Sequence, residues 1–145
     1  MNTLAYPARF LKENEDGYNV SFPDLPEAHT MGETKEEAFR MAIDCLHTAL
    51  DWRLERKEPI PAPSAAKRGQ IAIPVPLEIA PKIALVQAMR ERNLSNTALA
   101  RELNITETVV RRMLDPKHKS KPDQYTRALL AMGCAVEVSI VSVAR

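Results

Sequence analysis

Two stretches near the N-terminus alternate between apolar and polar residues, which is the period of a half-buried β-strand. They run from Tyr6 to Lys12 and from Tyr18 to Phe22, with Asn14-Glu15-Asp16-Gly17 between them. Gly17 tolerates a positive φ, so this connection predicts a tight turn. The first element that we expect is therefore an antiparallel β-hairpin.

A helical period replaces the alternation after a third extended piece, expected from Ala28 to Met31. Thr34 and Glu37 have the spacing of a capping box, in which each side chain accepts a hydrogen bond from a backbone N–H at the start of a helix. This spacing and the apolar period that follows predict a long helix that lies across the sheet and ends near Glu58. The apolar residues recur mostly at steps of three and four, at Phe39, Ala42, Ile43, Leu46, Ala49, Leu50 and Leu54.

Proline interrupts the pattern from Pro59 to Gly69, where three prolines and several small residues predict a linker with little to bury. Alternation returns from Gln70 to Pro76. Pro74 indicates an edge strand, because proline donates no ladder hydrogen bond. The predicted first domain, residues 1–58 with strand 70–76, is then an α+β layer in which one helix covers a small antiparallel sheet.

The second domain, residues 77–145, is predicted to be mainly helical, beginning with helical spacing from Ile79 to Arg92. The stretch from Asn93 to Leu114 then has the layout of a helix-turn-helix. Ser95 can cap its first helix, and Asn104 occupies the turn, where a residue that tolerates the left-handed region is needed. The apolar residues that would lock the two helices together are Leu94, Leu99, Ala100, Leu103, Ile105, Val110 and Met113.

Polar residues cluster on the expected outer face of this motif and in the loop that follows it. Arginine matches the acceptor pair of guanine, threonine can contact a thymine methyl, and lysine in a loop suits phosphate. The alternative is a generic helical hairpin with a solvated charged face, but the cap, the small residue, the turn residue and the basic loop together favour DNA binding. The expected DNA-binding residues are Ser95, Asn96, Thr97, Thr106, Glu107, Thr108, Arg111, Arg112, Lys117 and Lys119.

The last periodic stretch follows Gly133. Residues Ala135 to Val141 alternate and predict a strand with Val136, Val138 and Ile140 on one face. A lone strand in a helical domain leaves its backbone groups unpaired, so we expect it to pair with its own copy in a homodimer or higher homo-oligomer. The alternative is that it folds back onto the sheet of the first domain.

The two predicted domains differ in charge. Residues 1–58 carry 7 Lys/Arg against 12 Asp/Glu, whereas residues 78–145 carry 11 against 7. This asymmetry permits two partners of opposite charge, although such excesses also occur on solvated faces.

No apolar run reaches the roughly 20 residues that cross a bilayer and no secretory signal pattern is present, so we expect a cytoplasmic protein without membrane contact. Cys45 and Cys134 match no metal or redox spacing.

With these elements the chain resembles the HicB antitoxins of prokaryotic type II toxin–antitoxin systems, in the subgroup that carries a helix-turn-helix. The most specific match is the corner Pro23-Asp24-Leu25-Pro26, which ends a matching run that begins at Glu15. The other matching stretches are Tyr6-Pro7-Ala8, Thr30 to Thr34, Glu36-Glu37-Ala38, Ala128 to Gly133 and Val136 to Ser139.

The resemblance implies a degraded RNase H-like N-terminal domain that binds and inhibits a small, basic, mRNA-cleaving HicA-type toxin. It also implies a C-terminal domain that represses the operon by binding operator DNA. An acidic inhibitor can occupy the basic surface that a ribonuclease presents to RNA. We expect the rigid proline corner to hold the toxin-binding residues Phe22, Asp24, Leu25 and Glu27. The alternative is that the corner only turns the chain between two strands.

Two other functions compete with this reading. An RNase H-like fold can carry metal-binding carboxylates for phosphodiester cleavage. The acidic residues Asp16, Asp24, Glu36 and Glu37 form no strand-borne cluster, however, and the histidines show no ligand spacing. We therefore expect no enzyme, no catalytic residues, no metal and no cofactor. The second alternative is a stand-alone transcriptional regulator whose N-terminal domain senses a small molecule.

Overall fold

The computed structural model describes residues 3–13, 15 and 17–143, which form one four-stranded antiparallel sheet and five α-helices. The predicted α+β class is confirmed. The strands are β1 (Ala5–Lys12), β2 (Tyr18–Phe22), β3 (Leu25–Gly32) and β4 (Gln70–Pro74), in the spatial order β3-β2-β1-β4. The helices are α1 (Lys35–Arg56), α2 (Ala80–Glu91), α3 (Asn96–Leu103), α4 (Glu107–Leu114) and α5 (Pro122–Ala131).

The predicted hairpin is formed by β1 and β2, which pair antiparallel with Phe10 opposite Val20. Gly17 precedes β2 with a φ of 107°, and a Cβ on it would lie 2.4 Å from the carbonyl oxygen of Gly32. Both its conformation and this close approach therefore require glycine. Asn14 and Asp16, the other residues of the predicted turn, lie outside the described residues. β4 pairs with the opposite side of β1 and lies at the edge of the sheet, as Pro74 indicates.

The proline corner is a two-residue turn between β2 and β3, with Phe22 opposite Leu25. The preceding residue, Ser21, pairs with His29. Residues 26–28 of β3 therefore have no paired residue in β2 and form a bulge. Pro26 cannot donate a ladder hydrogen bond, which accounts for the bulge at this point. Consequently β3 begins at Leu25, three residues before the predicted start at Ala28.

Helix α1 begins where the capping pattern predicts. The hydroxyl of Thr34 accepts a hydrogen bond from the backbone N–H of Glu37 at 3.0 Å. The carboxylate of Glu37 accepts from the N–H of Glu33 at 2.8 Å, one residue earlier than a standard capping box. The helix packs across the sheet and ends at Lys57, which has a φ of 56°. Its fully buried side chains include Leu46 and Leu50.

The described residues contain two hydrophobic cores, and α2 contributes to both. Ile83 packs in the first core, between the sheet and α1, whereas Leu85 and Met89 pack in the second core with α3, α4 and α5. Ile79, just before α2, also belongs to the first core. The predicted domain boundary at residue 77 therefore precedes a helix whose first turns complete the core of the N-terminal half.

The proline segment, residues 59–69, has no helix or strand and little buried area, as predicted, with one exception. Ile60 is only 2% exposed and packs in the first core. Three successive carbonyls of the segment accept hydrogen bonds from side chains of three elements. Arg53 donates to Pro59 O at 2.5 Å, Arg90 to Ile60 O at 3.0 Å, and Tyr6 to Pro61 O at 2.6 Å. The segment is thus fastened to α1, α2 and β1.

The C-terminal segment after α5 differs from the prediction. Residues 134–143 contain no strand in the single chain, and the segment does not join the four-stranded sheet. Its apolar side chains stay exposed, with Val138 at 70% and Ile140 at 98%. Because one chain cannot show pairing with a second copy, the proposed strand pairing between chains is treated below.

Removing the Tyr6 hydroxyl tests whether its hydrogen bond to Pro61 O holds the proline segment in place. Its burial raises the pKa of Tyr6 to about 12, so the hydroxyl remains a donor to Pro61 O and an acceptor for Gln87 Nε2 at 3.4 Å. We expect Tyr6→Phe to lower the free energy of unfolding by about 1–2 kcal/mol, because both partners lose a hydrogen bond. Urea denaturation measures this change.

The matched control is Tyr18→Phe, since Tyr18 makes no side-chain hydrogen bond within the described ranges and is only partly buried. That variant is expected to change the unfolding free energy by less than about 0.5 kcal/mol. Equal stabilities for the two variants would show that the Tyr6 hydroxyl does not fasten the segment.

Candidate functional site

Helices α3 and α4 have the turn and the Ser95 cap that the sequence predicts, and Thr106 is the N-cap of α4 rather than a residue within it. The Ser95 hydroxyl accepts a hydrogen bond from the N–H of Ala98 at 3.1 Å, and that of Thr106 accepts from the N–H of Val109 at 3.4 Å. Asn104, between the helices, has a φ of 54° and occupies the left-handed region. Buried Ala100 permits close approach of the two helices. Val110 and Met113 point inward, as predicted, so the polar residues of α4 face solvent.

The solvent face of α4 brings three of the predicted DNA-binding residues into one cluster. Arg111 forms a salt bridge with Glu107 at 3.1 Å and donates to the hydroxyl of Thr108 at 3.1 Å. Arg112 is exposed, and it makes no salt bridge within the described part of the chain. The solvent face of α4 therefore presents two guanidinium groups, and that of Arg111 contacts Glu107 and Thr108.

The other predicted residues of the motif flank this face. Ser95 and Thr106 use their hydroxyl groups as caps, so each has one acceptor site already occupied. Asn96 and Thr97 lie in the first turn of α3, where Thr97 is exposed and Asn96 half-buried. A helix N-terminus offers unpaired N–H groups, which makes this turn suited to a phosphate contact rather than to base readout.

The basic loop between α4 and α5 is partly engaged with the N-terminal half. The N–H of Lys117 donates to the Asp115 carboxylate at 2.9 Å, which fixes the start of the loop. Its ammonium group lies 2.7 Å from the carboxylate of Glu55 on α1, and this contact raises the pKa of Lys117. Lys119 is exposed and forms no salt bridge in the described ranges. A phosphate would thus meet Lys119 unpaired but would compete with Glu55 for Lys117.

A buried lysine that the sequence analysis did not identify supports both α4 and the loop. Lys82 of α2 is 5% exposed, and its ammonium group donates to Met113 O at 3.1 Å, His118 O at 2.8 Å and the Tyr125 hydroxyl at 2.9 Å. A cation near the C-terminus of α4 is also favoured by the helix dipole. The signal in the sequence was a lysine at an apolar helical position, three residues after Ile79.

The predicted toxin-binding residues do not form one surface. Phe22 and Leu25 are 1% and 0% exposed and pack in the first core, so neither can contact a partner, and we drop both from the expected contacts. The Asp24 carboxylate is half-buried and accepts from the N–H and hydroxyl of Ser64 at 2.8 and 2.6 Å. The corner turns the chain, as the alternative stated, and also anchors the proline segment.

Glu27 lies in the bulge of β3 and is bound by Arg53. The guanidinium donates to both carboxylate oxygens, at 2.6 and 2.9 Å. This bidentate contact lowers the pKa of Glu27 and raises that of Arg53. Glu27 remains on the surface, but its charge is compensated within the chain.

Two further findings concern metal binding and membrane crossing. Within residues 3–13, 15 and 17–143, no group of three or more His, Cys, Asp or Glu side chains could hold a metal ion. In the same ranges no helix is long and apolar enough to cross a membrane. The surface chemistry of the described residues therefore lies mainly in the exposed arginine face of α4, the basic loop and the acidic N-terminal half.

Comparison with known proteins identifies the class of the chain. Residues 5–84 match the family model described as HicB_like antitoxin of bacterial toxin-antitoxin system. The chain is 36% identical to Antitoxin HicB 1 of Photorhabdus laumondii over 97% of its own length and 89% of that protein. It is 37% identical to Antitoxin HicB of Escherichia coli K12 over 97% of its length and 100% of that protein.

A solved structure, the Burkholderia pseudomallei antitoxin HicB, aligns with 80% of this chain and 100% of its own, at 17% identity and a TM-score of 0.44. The matches in sequence define the protein as an antitoxin of a toxin–antitoxin system. The chain belongs to the HicB family.

Proposed function

We propose that this HicB-family antitoxin inhibits a HicA-type toxin, a small basic mRNA-cleaving ribonuclease, through its acidic half and represses its own operon through α4. The observation that carries the DNA-binding part is the exposed α4 face with Arg111 and Arg112, two side chains that can read guanine in a major groove. The toxin-binding part is supported by family membership together with the acidic excess of residues 1–58.

The same proposal includes action by binding rather than by catalysis, as expected of a protein whose curated relatives are named antitoxins. It also includes a cytoplasmic location, where a messenger RNA-cleaving toxin and operator DNA both occur. A stand-alone regulator that senses a small molecule receives no support from these relatives. We retain the proposed division at residue 77, but Ile83 of α2 packs in the first core, so the full chain is the appropriate protein for every test.

Toxin inhibition is tested by RNA cleavage. The HicA-type toxin encoded beside this chain should lose its cleavage activity when the purified full-length antitoxin is added at stoichiometric concentration, because the acidic half covers its basic surface. The assay follows cleavage of a labelled messenger RNA. An unrelated basic ribonuclease serves as the control and should remain active. Continued cleavage by the toxin in excess antitoxin would contradict the proposal.

Operator recognition is tested at the exposed arginines. We expect Arg111→Ala to weaken binding to the operator of the chain's own operon by about 1–3 kcal/mol, because a base contact is lost. Lys119→Ala should weaken binding to all sequences similarly and reduce the salt dependence by about one phosphate contact. Fluorescence anisotropy with operator and scrambled DNA separates these effects.

Arg40→Ala is the control for the arginine variants, since Arg40 is an exposed residue of α1 far along the chain from α4. Its operator affinity should equal that of the wild type. If the double variant Arg111→Ala, Arg112→Ala also binds the operator with wild-type affinity, α4 is not the recognition helix.

Assembly is proposed to involve the C-terminal segment, whose exposed valines and isoleucine suit an antiparallel strand shared between two copies. A two-fold axis through this pairing would present two α4 helices to half-sites about one helical turn apart. Val138→Pro removes a backbone donor and imposes an unsuitable φ, so the full chain should become monomeric and bind the operator more weakly. Analytical ultracentrifugation measures the first effect.

Val138→Thr is the matched control, because threonine retains the branched shape and the backbone N–H and should leave the dimer intact. A Val138→Pro chain that dimerises with the wild-type dissociation constant would exclude the segment as the interface.

A further inference from the structure

The N-terminal half has an open groove between α1 and the edge strand β3. It has a volume of about 560 Å³. Small and polar side chains of both elements line it, and its two largest apolar side chains are Met41 and Trp52 of α1. They lie eleven residues apart on the same helix, which corresponds to about 16 Å along its axis. The full lining is Glu27, Ala28, His29, Thr30, Met41, Asp44, Cys45, Thr48, Ala49 and Trp52.

The two large apolar side chains of this groove are accessible to a partner. Trp52, the only tryptophan of the chain, is 45% exposed, and Met41 is 39% exposed. Single exposed apolar side chains are ordinary on protein surfaces. Two such side chains on one helical face that line a common groove are less ordinary. Tryptophan and methionine are also enriched at the centres of protein interfaces.

The charge of the groove indicates the kind of partner. Its lining contains the carboxylates of Glu27 and Asp44 but no lysine or arginine. Arg53 compensates Glu27, whereas Asp44 is exposed and forms no salt bridge in the ranges that the structure describes. At one end, the Arg56 guanidinium lies 4.8 Å from the centre of the Trp52 ring and covers part of it. The uncompensated charge within the lining is therefore negative, and it lies between two apolar anchors.

We propose that this groove is the binding site for the basic toxin, with Met41 and Trp52 contacting apolar side chains of the toxin and Asp44 pairing with one of its lysines or arginines. The inference rests on the proposed toxin inhibition and specifies its surface. It also replaces Phe22 and Leu25, which are buried, by residues that a partner can reach. Glu27 borders the groove, so its expected role is retained at the edge of this surface.

The single tryptophan permits a direct test. The full-length antitoxin labelled with 5-fluorotryptophan has one ¹⁹F signal, which reports on Trp52 alone. Addition of the HicA-type toxin encoded beside this chain should shift or broaden that signal, whereas addition of operator DNA should not. A signal that changes with antitoxin concentration in the absence of toxin would assign the groove to a second copy of this chain and overturn the proposal.

Two variants measure the contribution of the groove to toxin affinity. Asp44→Lys and Trp52→Ala should each raise the dissociation constant for the toxin by about 10- to 100-fold, as expected for central interface residues. The charge reversal should act partly through a slower association rate. Isothermal titration and stopped-flow fluorescence give the two quantities. Both side chains are exposed, so thermal unfolding should remain close to that of the wild type.

The controls repeat the charge change and the truncation at exposed residues outside the groove. Glu91→Lys makes the same charge change on an exposed residue of α2, and Leu130→Ala truncates a 58% exposed side chain of α5. Both should bind the toxin like the wild type. If the wild-type chain binds the toxin but Asp44→Lys and Trp52→Ala bind equally well, the groove is not the site and toxin inhibition stands. If the wild-type chain does not bind the toxin, both proposals fail.

Discussion

The arrangement of the molecule depends on the hydrogen bonds that three consecutive backbone carbonyls, those of residues 59–61, accept from side chains. Two of these three residues are prolines, which have no N–H, so the segment cannot form the regular hydrogen bonds of a helix or sheet. Side chains supply the donors instead: Arg53 from α1, Arg90 from α2 and Tyr6 from β1. A segment with the composition of a flexible spacer is thereby held against both halves of the protein.

This constraint links the two halves of the chain. Arg53 binds Glu27 in the β3 bulge and the carbonyl of Pro59 at the same time, so one guanidinium joins β3 to the proline segment. α2 then carries Lys82 into the second core, where the ammonium group holds the end of α4 and the basic loop. These contacts and the Lys117–Glu55 salt bridge connect the arginine face of α4 to the acidic half.

The sequence was sufficient where local chemistry decides the structure. Caps at Thr34 and Ser95 and the left-handed conformation of Asn104 follow from the backbone needs of helix ends, which act over a few residues. It was insufficient where distant partners decide. The alternation through Phe22 could not show that a two-residue turn and a bulge direct Leu25 into the core, and composition could not show that Ile60 finds a buried site. The motif alone predicted the two helices and the turn at Asn104, whereas the role of Lys82 depends on three acceptors that only folding brings together.

Most of the large exposed apolar side chains belong to two surfaces, the α1 groove and the C-terminal segment. Trp52 and Met41 lie on α1, and Val138 and Ile140 lie in the C-terminal segment, so the two surfaces belong to different halves. Burying exposed apolar area is favourable, at about 25 cal/mol per Å², and each surface therefore gains from a partner. The two surfaces share no residue, although the Lys117–Glu55 salt bridge places the basic loop beside the C-terminal end of α1. The three partners proposed above, a toxin, a second copy and DNA, are therefore assigned to different residues of the chain.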